Sequence, residues 1–399
     1  MRLTRCWLAS AAVVVAAGPV YAQNIPTRAL TRPDVEYGEP FTQVTGVREL
    51  RDGRVIVTDP RDKVVQVVDL RAGTAEKIGR EGSGPGEYAM PLRLFALPGD
   101  SSAVADMLNR RMLVITPTAE PGGFIDLNSP AAGRRGAGGP VLAGGPTNIT
   151  AVDNRGRMYL QGSPFRLVDG QPQAADSVSI ERWDRVSGQR DTVAWLQLPK
   201  GSTQISGGSG GRMLIRTGGT GMPFSTQDQF AVAPDGRIAI VHHDPYSVEF
   251  VSAAGMRTKG QPIRHDRIRL TEKHKEQWRD QQRSATGMMI TNNNGRQSAQ
   301  MAPMPFQEPT EWPEYLPAFL PQSALFAPDG LLWVRRTTSA DAPPTYDLID
   351  GAGRVTQRVT LAPRSRVVGF GNGAVYVVRL DEDDLQYLQR HRFTGSDRQ

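Results

Sequence analysis

Short apolar segments that run into Asp-Gly or Asn-Gly and out again into β-branched residues recur along this chain of 399 residues. The clearest copies are Leu50-Arg51-Asp52-Gly53-Arg54-Val55-Ile56-Val57, Ala233-Pro234-Asp235-Gly236-Arg237-Ile238-Ala239-Ile240 and Ala327-Pro328-Asp329-Gly330-Leu331-Leu332-Trp333-Val334. Gly and Asn supply the positive φ that a tight turn needs, so each copy predicts two antiparallel strands joined by a two-residue primed turn. Looser copies run through Asp153-Asn154-Arg155-Gly156 and Gly371-Asn372-Gly373, and Leu97-Pro98-Gly99-Asp100 stands in for one more. The pattern therefore has six units.

Each unit extends past its glycine turn into four strands, the size of one propeller blade. The first shows it best, with strands expected over 42–50, 54–58, 64–70 and 75–78. Equivalent pieces follow over 93–125, 149–198, 229–263, 323–361 and 366–393. The last has three good strands and lacks a fourth, whereas Arg32-Pro33-Asp34-Val35-Glu36-Tyr37 is a strand with no blade of its own. Pairing that N-terminal strand onto the last blade would close the ring and remove an exposed sheet edge. The expected fold is thus all-β, a six-bladed β-propeller forming one domain over 23–399, with a short flexible tail at 394–399.

Two intervals break the spacing. Residues 199–223 contain Gly207-Gly208-Ser209-Gly210-Gly211 and Gly218-Gly219-Thr220-Gly221, a composition that predicts a long surface loop. Residues 264–322 form an insertion between the fourth and fifth blades. In it Thr271 can cap a helix over 272–283, anchored by Trp278. The second half, through Trp312-Pro313-Glu314-Tyr315-Leu316-Pro317-Ala318-Phe319, carries too many aromatics to be left in water and is expected to dock on one mouth of the propeller, as a pin or as a lid.

Composition adds a compartment and removes several chemistries. Arg2 and Arg5 precede the apolar run from Trp7 to Ala17, and Val20-Tyr21-Ala22 is a small-residue cleavage pattern, so 1–22 reads as an export signal. The run is shorter than the ~20 residues a spanning helix needs, so no membrane anchor is expected, and the protein is placed in the periplasm or outside the cell. The single cysteine, Cys6, lies inside that leader, which leaves the remainder without disulfides or thiol chemistry. Without Arg2 and Arg5 the formal charge falls from +6 to +4. With no like-charge blocks or aromatic-basic interleaving, nothing suggests a nucleic-acid partner.

The stretch Ile78-Gly79-Arg80-Glu81-Gly82-Ser83-Gly84-Pro85-Gly86-Glu87-Tyr88 resembles the blade junction of six-bladed propellers related to NHL-repeat proteins. Gly53-Arg54-Val55-Ile56-Val57-Thr58-Asp59 and Val64-Val65-Gln66-Val67-Val68-Asp69 are similar to the rest of such a repeat. The resemblance implies a scaffold with a central channel and a loop-rich face, used for binding and sometimes for catalysis, and it does not choose among those uses. The Gly-rich stretch lacks the Lys-Ser/Thr end and following helix of a phosphate loop.

In a propeller, the loops joining second to third strands gather at one face with the starts of the inner strands. Five of the six units carry Arg or His there, in Asp59-Pro60-Arg61-Asp62, Asp106-Met107-Leu108-Asn109-Arg110-Arg111, His242-His243-Asp244-Pro245, Arg335-Arg336 and Arg379-Leu380-Asp381-Glu382. Arg61, Arg110, Arg335 and Arg379 would offer charge to a carboxylate or sulfate, with Trp312, Tyr315 and Phe319 giving apolar contact. The reading is an exported binding module, without assigned catalysis or cofactor, that holds a small anionic ligand or a protein partner at the channel mouth. The alternative is a hydrolase of the gluconolactonase type using Ca2+ or another divalent cation. For it Asp59, Asp106, Asn109 and Asp244 have the oxygen chemistry hard cations take. The adjacent His242 and His243 should point opposite ways on a strand end, which argues against a shared metal. Ser163 and Ser209 lack a strand-to-helix elbow and a base.

Overall fold

The computed structural model describes residues 25–127, 149–168, 171–198, 203–207, 213–217, 222–283, 286–293, 296–303, 306 and 308–394. The leader at 1–22 and residues 395–399 of the tail lie outside the described residues.

Six antiparallel sheets succeed one another along the chain, each a meander in sequence order. Blade 1 is Gly46–Glu49, Val55–Asp59, Val64–Asp69 and Thr74–Lys77, and blade 2 is Pro91–Ala96, Ser102–Asp106, Arg111–Ile115 and Pro121–Asp126. Blade 3 is Ile149–Val152, Met158–Gln161, Ser177–Trp183 and Arg190–Gln197. Blade 4 is Gln229–Val232, Ile238–His243, Tyr246–Val251 and Arg257–Lys259. Blade 5 is Phe319–Phe326, Leu332–Arg336, Thr345–Ile349 and Val355–Leu361, and blade 6 is Ser365–Gly371, Ala374–Leu380 and Gln386–Arg392. The molecule is a six-bladed β-propeller.

Ring closure shows in the core, which is divided into six apolar clusters, one in each seam between neighbouring blades. Trp333 and Tyr346 of blade 5 meet Val375 and Val377 of blade 6, and in turn Tyr376 and Val378 of blade 6 meet Val55 and Val57 of blade 1. Alternation along each strand sends one set of side chains to each neighbour, so strands buried on both faces read as continuous apolar runs. Five seams also hold a buried tyrosine hydroxyl. Tyr88 accepts from Val65 N (2.9 Å), Tyr346 accepts from Val367 N (2.9 Å), Tyr159 and Tyr246 donate to Asp153 and Asp347, and Tyr376 donates to Glu49. Burial, with Asp153 beside it, pushes the Tyr159 hydroxyl up to about 12.

The chain before blade 1 contributes two strands. Val35–Glu36 pairs antiparallel with Gln386–Arg392, through Val35 opposite Arg390 and Glu36 opposite Gln389, and gives blade 6 its outer strand. Thr27–Leu30, which nothing in the pattern foretold, lies parallel to the outer strand of blade 5, Thr27 opposite Arg358 and Leu30 opposite Leu361.

Two local expectations need correction. In the three clearest copies the turns are three-residue loops rather than two-residue primed turns, whereas Gly371 pairs directly with Ala374 across the two residues Asn372 and Gly373. Leu50 N donates to Arg54 O (2.8 Å), Gly53 N donates to Leu50 O (3.0 Å), and Gly53 has a φ of 87°. In these copies only the glycine takes positive φ, and the preceding aspartate instead accepts from the arginine that follows at two of them: Asp52 takes Arg54 N and Nε, and Asp235 takes Arg237 N and Nε. The same two backbone bonds recur at Ala233 and Ala327. The interval 199–223 is not wholly loop, because Thr203–Gly207 pairs with Met213–Thr217 as a hairpin, Ile205 opposite Ile215. Further hairpins join Phe165–Val168 to Gln171–Ala174 and Thr286–Asn293 to Arg296–Pro303.

The segment between blades 4 and 5 holds the helix Glu272–Arg283. It is docked on the loop after Arg336 of blade 5, with Gln277 Nε2 donating to Ala340 O (3.3 Å), Lys273 paired with Asp341, and Thr337 N donating to Ala318 O (2.9 Å). Among the described residues no helix is long and apolar enough to cross a membrane.

Candidate binding mouth

The face that carries the loops between second and third strands, the starts of the inner strands and the insertion carries several of the expected residues, but it does not bring them together and uses many of them internally. Asp59 is buried, and its carboxylate accepts from Thr42 N, Gln43 N, Arg61 N and Asp62 N at 2.9–3.2 Å. Burial raises its pKa in spite of these donors. Asp106 repeats the device in blade 2 by accepting from Ala89 N, Met90 N and Asn109 Nδ2 at 3.1, 3.0 and 2.6 Å. Each carboxylate ties the end of a second strand to the chain entering the same blade. Asn109 also donates to Gly82 O (2.9 Å) and meets the Ser83 hydroxyl, which fastens the glycine-rich junction. In that junction Glu87 accepts from Gly84 N, and Gly79, at φ 68°, has no room for a side chain because a Cβ would lie 2.2 Å from Gly86 O. Asp244 is exposed on blade 4. These four residues fall at three separate places, Asp59 in blade 1, Asp106 with Asn109 in blade 2 and Asp244 in blade 4, and among the described residues no group of three or more His, Cys, Asp and Glu is arranged to hold a metal ion.

Blade 4 inverts the device. Here the carboxylate, Asp228, precedes the inner strand, and the second strand ends in His242 and His243. The two imidazoles leave opposite sides of the strand yet meet on one carboxylate. His242 Nδ1 is 2.7 Å from Asp228 Oδ2, and His243 Nδ1 is 2.6 Å from Oδ1, which also accepts His243 N at 3.0 Å. Burial would raise the Asp228 carboxyl, but the two imidazoles and the N–H outweigh it and hold the pKa low. The Asp228 hydrogen bond raises the pKa of His242 against the opposing effect of burial, and Glu249, 3.5 Å from Nε2 and paired with Arg257, adds to it.

The arginines divide. Arg379 is turned to the outer edge, where it is bonded to Glu36 at 3.1 and 3.2 Å and lies over Tyr387. Arg110 sits at φ 54° in the turn before Arg111, half-buried. Arg61 and Arg335 are exposed on the mouth face. Two cations that the sequence reading did not single out stand at the starts of inner strands. Arg366 Nη2 donates to Val44 O of blade 1 (2.7 Å) and to Gln386 Oε1 (3.1 Å), and Arg93 Nη1 donates to Ile149 O of blade 3 (3.0 Å). Gln229 Nε2 reaches Leu320 O of blade 5 in the same way (3.0 Å). Burial pushes both guanidinium pKa values down, and Arg335 adds like charge beside Arg366. The signal was present, since a long polar residue opens three of the six units.

The aromatics of the insertion face inward. Phe319 is 0 % exposed and packs edge-on against Tyr246 at 5.4 Å, so it is a core residue of the seam between blades 4 and 5 and cannot meet a ligand. Trp312 is T-shaped on Trp278 of the helix at 5.3 Å and 6.3 Å from Phe224, with Arg279 over its ring. Tyr315 carries Arg267 at 4.1 Å. Trp312 and Tyr315 thus hold the insertion to itself and to the scaffold.

No family model and no curated protein matches this chain. Solved structures that resemble it include a virginiamycin B lyase from Staphylococcus aureus (11 % identity, 91 % of this chain and 88 % of that one, TM-score 0.38). A gluconolactonase from Xanthomonas campestris (10 %, 89 % and 91 %, 0.40) and a luciferin-regenerating enzyme (12 %, 91 % and 96 %, 0.43) are others. At these values the comparisons carry no function, and the fold rests on the strand pairing described above.

Proposed function

We propose that the protein is an exported binding module whose channel mouth takes a small carboxylate- or sulfate-bearing ligand, free or displayed on a protein partner. The observation that carries this reading is the pair Arg366 and Arg335. One guanidinium is held by a carbonyl and an amide oxygen, the other is exposed at the end of the second strand of the preceding blade, and no carboxylate among the described residues is paired with either. Two guanidinium groups on one face without a carboxylate partner leave donors free for an anion, and arginine presents a fork that fits a carboxylate. Asp59, Asp106 and Asn109 are taken up in strand and loop fastening, and among the described residues no group of carboxylates converges as the divalent-cation reading needs.

A melting series tests the choice. A ligand that binds only the folded state must raise the melting temperature, by about 2.7 kcal/mol of stability at a hundredfold excess over Kd. Succinate should raise it and choline should not. A rise with calcium that a chelator reverses would favour the hydrolase.

A further inference from the structure

The Asp228 cluster lies on blade 4, apart from Arg335 of blade 5 and Arg366 of blade 6, and its two imidazoles differ in what they leave free. His242 is occupied at both nitrogens, by Asp228 and by Glu249. His243 is occupied at Nδ1 alone: its side chain is 34 % exposed, and among the described residues nothing is bonded to its Nε2. A carboxylate accepting from Nδ1–H fixes the tautomer and leaves the Nε2 lone pair free. The backbone N–H of the same residue, bonded to the same oxygen, restricts the ring further. His243 lies opposite Tyr246 in the strand pairing, and His265 of the insertion crosses edge-on to Tyr246 at 6.0 Å, so His243 ends its strand next to a residue that the docked segment touches.

We propose that His243 is a general base that activates water at the mouth, with Asp228 as its positioning residue, and that the substrate class is a carboxylic ester. A neutral imidazole with a free Nε2 lone pair is a general base suited to water attacking an ester carbonyl. It is far too weak to take a proton from an unactivated C–H. In the reaction Nε2 accepts a proton from water as the water oxygen bonds to the carbonyl carbon. The tetrahedral intermediate collapses with cleavage of the carbon–alkoxy bond, and the imidazolium returns the proton to the leaving alkoxide, so that acid and alcohol are released and the base is regenerated. No redox partner enters.

The inference does not depend on the anion reading, and the two fail separately. The test is hydrolysis of 4-nitrophenyl acetate by the whole protein in the presence of a chelator, with folding checked by circular dichroism. The wild type should exceed buffer catalysis, with a rate that rises through one ionisation. His243→Ala should lose about 100-fold and regain part of it with added imidazole, which a merely structural loss would not show. Asp228→Asn should lower kcat and move the pH profile while leaving KM unchanged. Equal rates in wild type and His243→Ala, no hydrolysis above buffer, or activity abolished by the chelator would each overturn the proposal. With mono-4-nitrophenyl succinate, a preference for the anionic ester that disappears in Arg335→Glu bears on the anion site only.

Discussion

Asp228 holds two imidazoles, a backbone amide and the start of an inner strand at once, so it is the residue whose loss should matter most on the mouth face. Asp228→Ala leaves both histidines without their acceptor and should cost about 3–5 kcal/mol, the range for breaking a buried charged pair, as read by urea unfolding. His242 adds a pH dependence. Its pKa is raised in the folded state, so its contribution is complete below about 6.5, the unfolded value, and is lost as pH rises through the higher folded value. His391 runs the other way. It is buried at 2 % exposure, burial lowers its pKa, and its contribution is present above the unfolded value and lost as pH falls toward the folded one. His242→Gln should therefore flatten the loss of stability above about pH 6.5 and leave the acid side unchanged, which melting curves across pH would show. Phe319→Ala should cost about 3–5 kcal/mol, whereas a ligand contact at the surface would cost little. At this scale the sequence was half legible. The turn glycines were plain because φ is a local property. Asp228, Arg93 and Arg366 were not, because their roles depend on partners 14–15, 56 and 322 positions away.

Among the elements, the two N-terminal strands clasp different blades: Thr27–Leu30 adds to blade 5 and Val35–Glu36 completes blade 6, with Glu36 pairing Arg379 and bonded by Gln389. Removing residues up to 37 should lower the melting temperature and expose the outer edge of blade 6, and light scattering should then report association through that edge. Arg379→Ala should reproduce a small part of the loss, about 1 kcal/mol or less for a half-exposed pair. The strand Thr27–Leu30 could not be anticipated, because parallel pairing along one outer edge leaves no alternation to read. The hairpin Thr203–Gly207 with Met213–Thr217 was hidden by its glycines, which mark a flexible loop and a tight turn alike. The aromatics of the insertion were legible as a docking device, but which of them lay inside the seam was not.

For the molecule as a whole, the six repeats determine a ring because each sheet is apolar on both faces and only a closed circle gives every face a partner. That was legible, since a repeat is a property of the entire chain. The gathering of the loops between second and third strands at one face followed from it, while the partners of the side chains there did not. Asp59 and Asp106, which looked available, serve as fasteners, and Arg93 and Arg366 at the starts of inner strands reach carbonyl oxygens of the neighbouring blades. The most direct test is calorimetric titration of the protein with succinate at low ionic strength, comparing wild type with Arg335→Glu. The account expects one site per chain, weakened by added salt, and weaker by about tenfold or more in the variant, as the loss of a charge-assisted hydrogen bond requires. Equal affinity in the two proteins, or no heat of binding in the wild type, would contradict it.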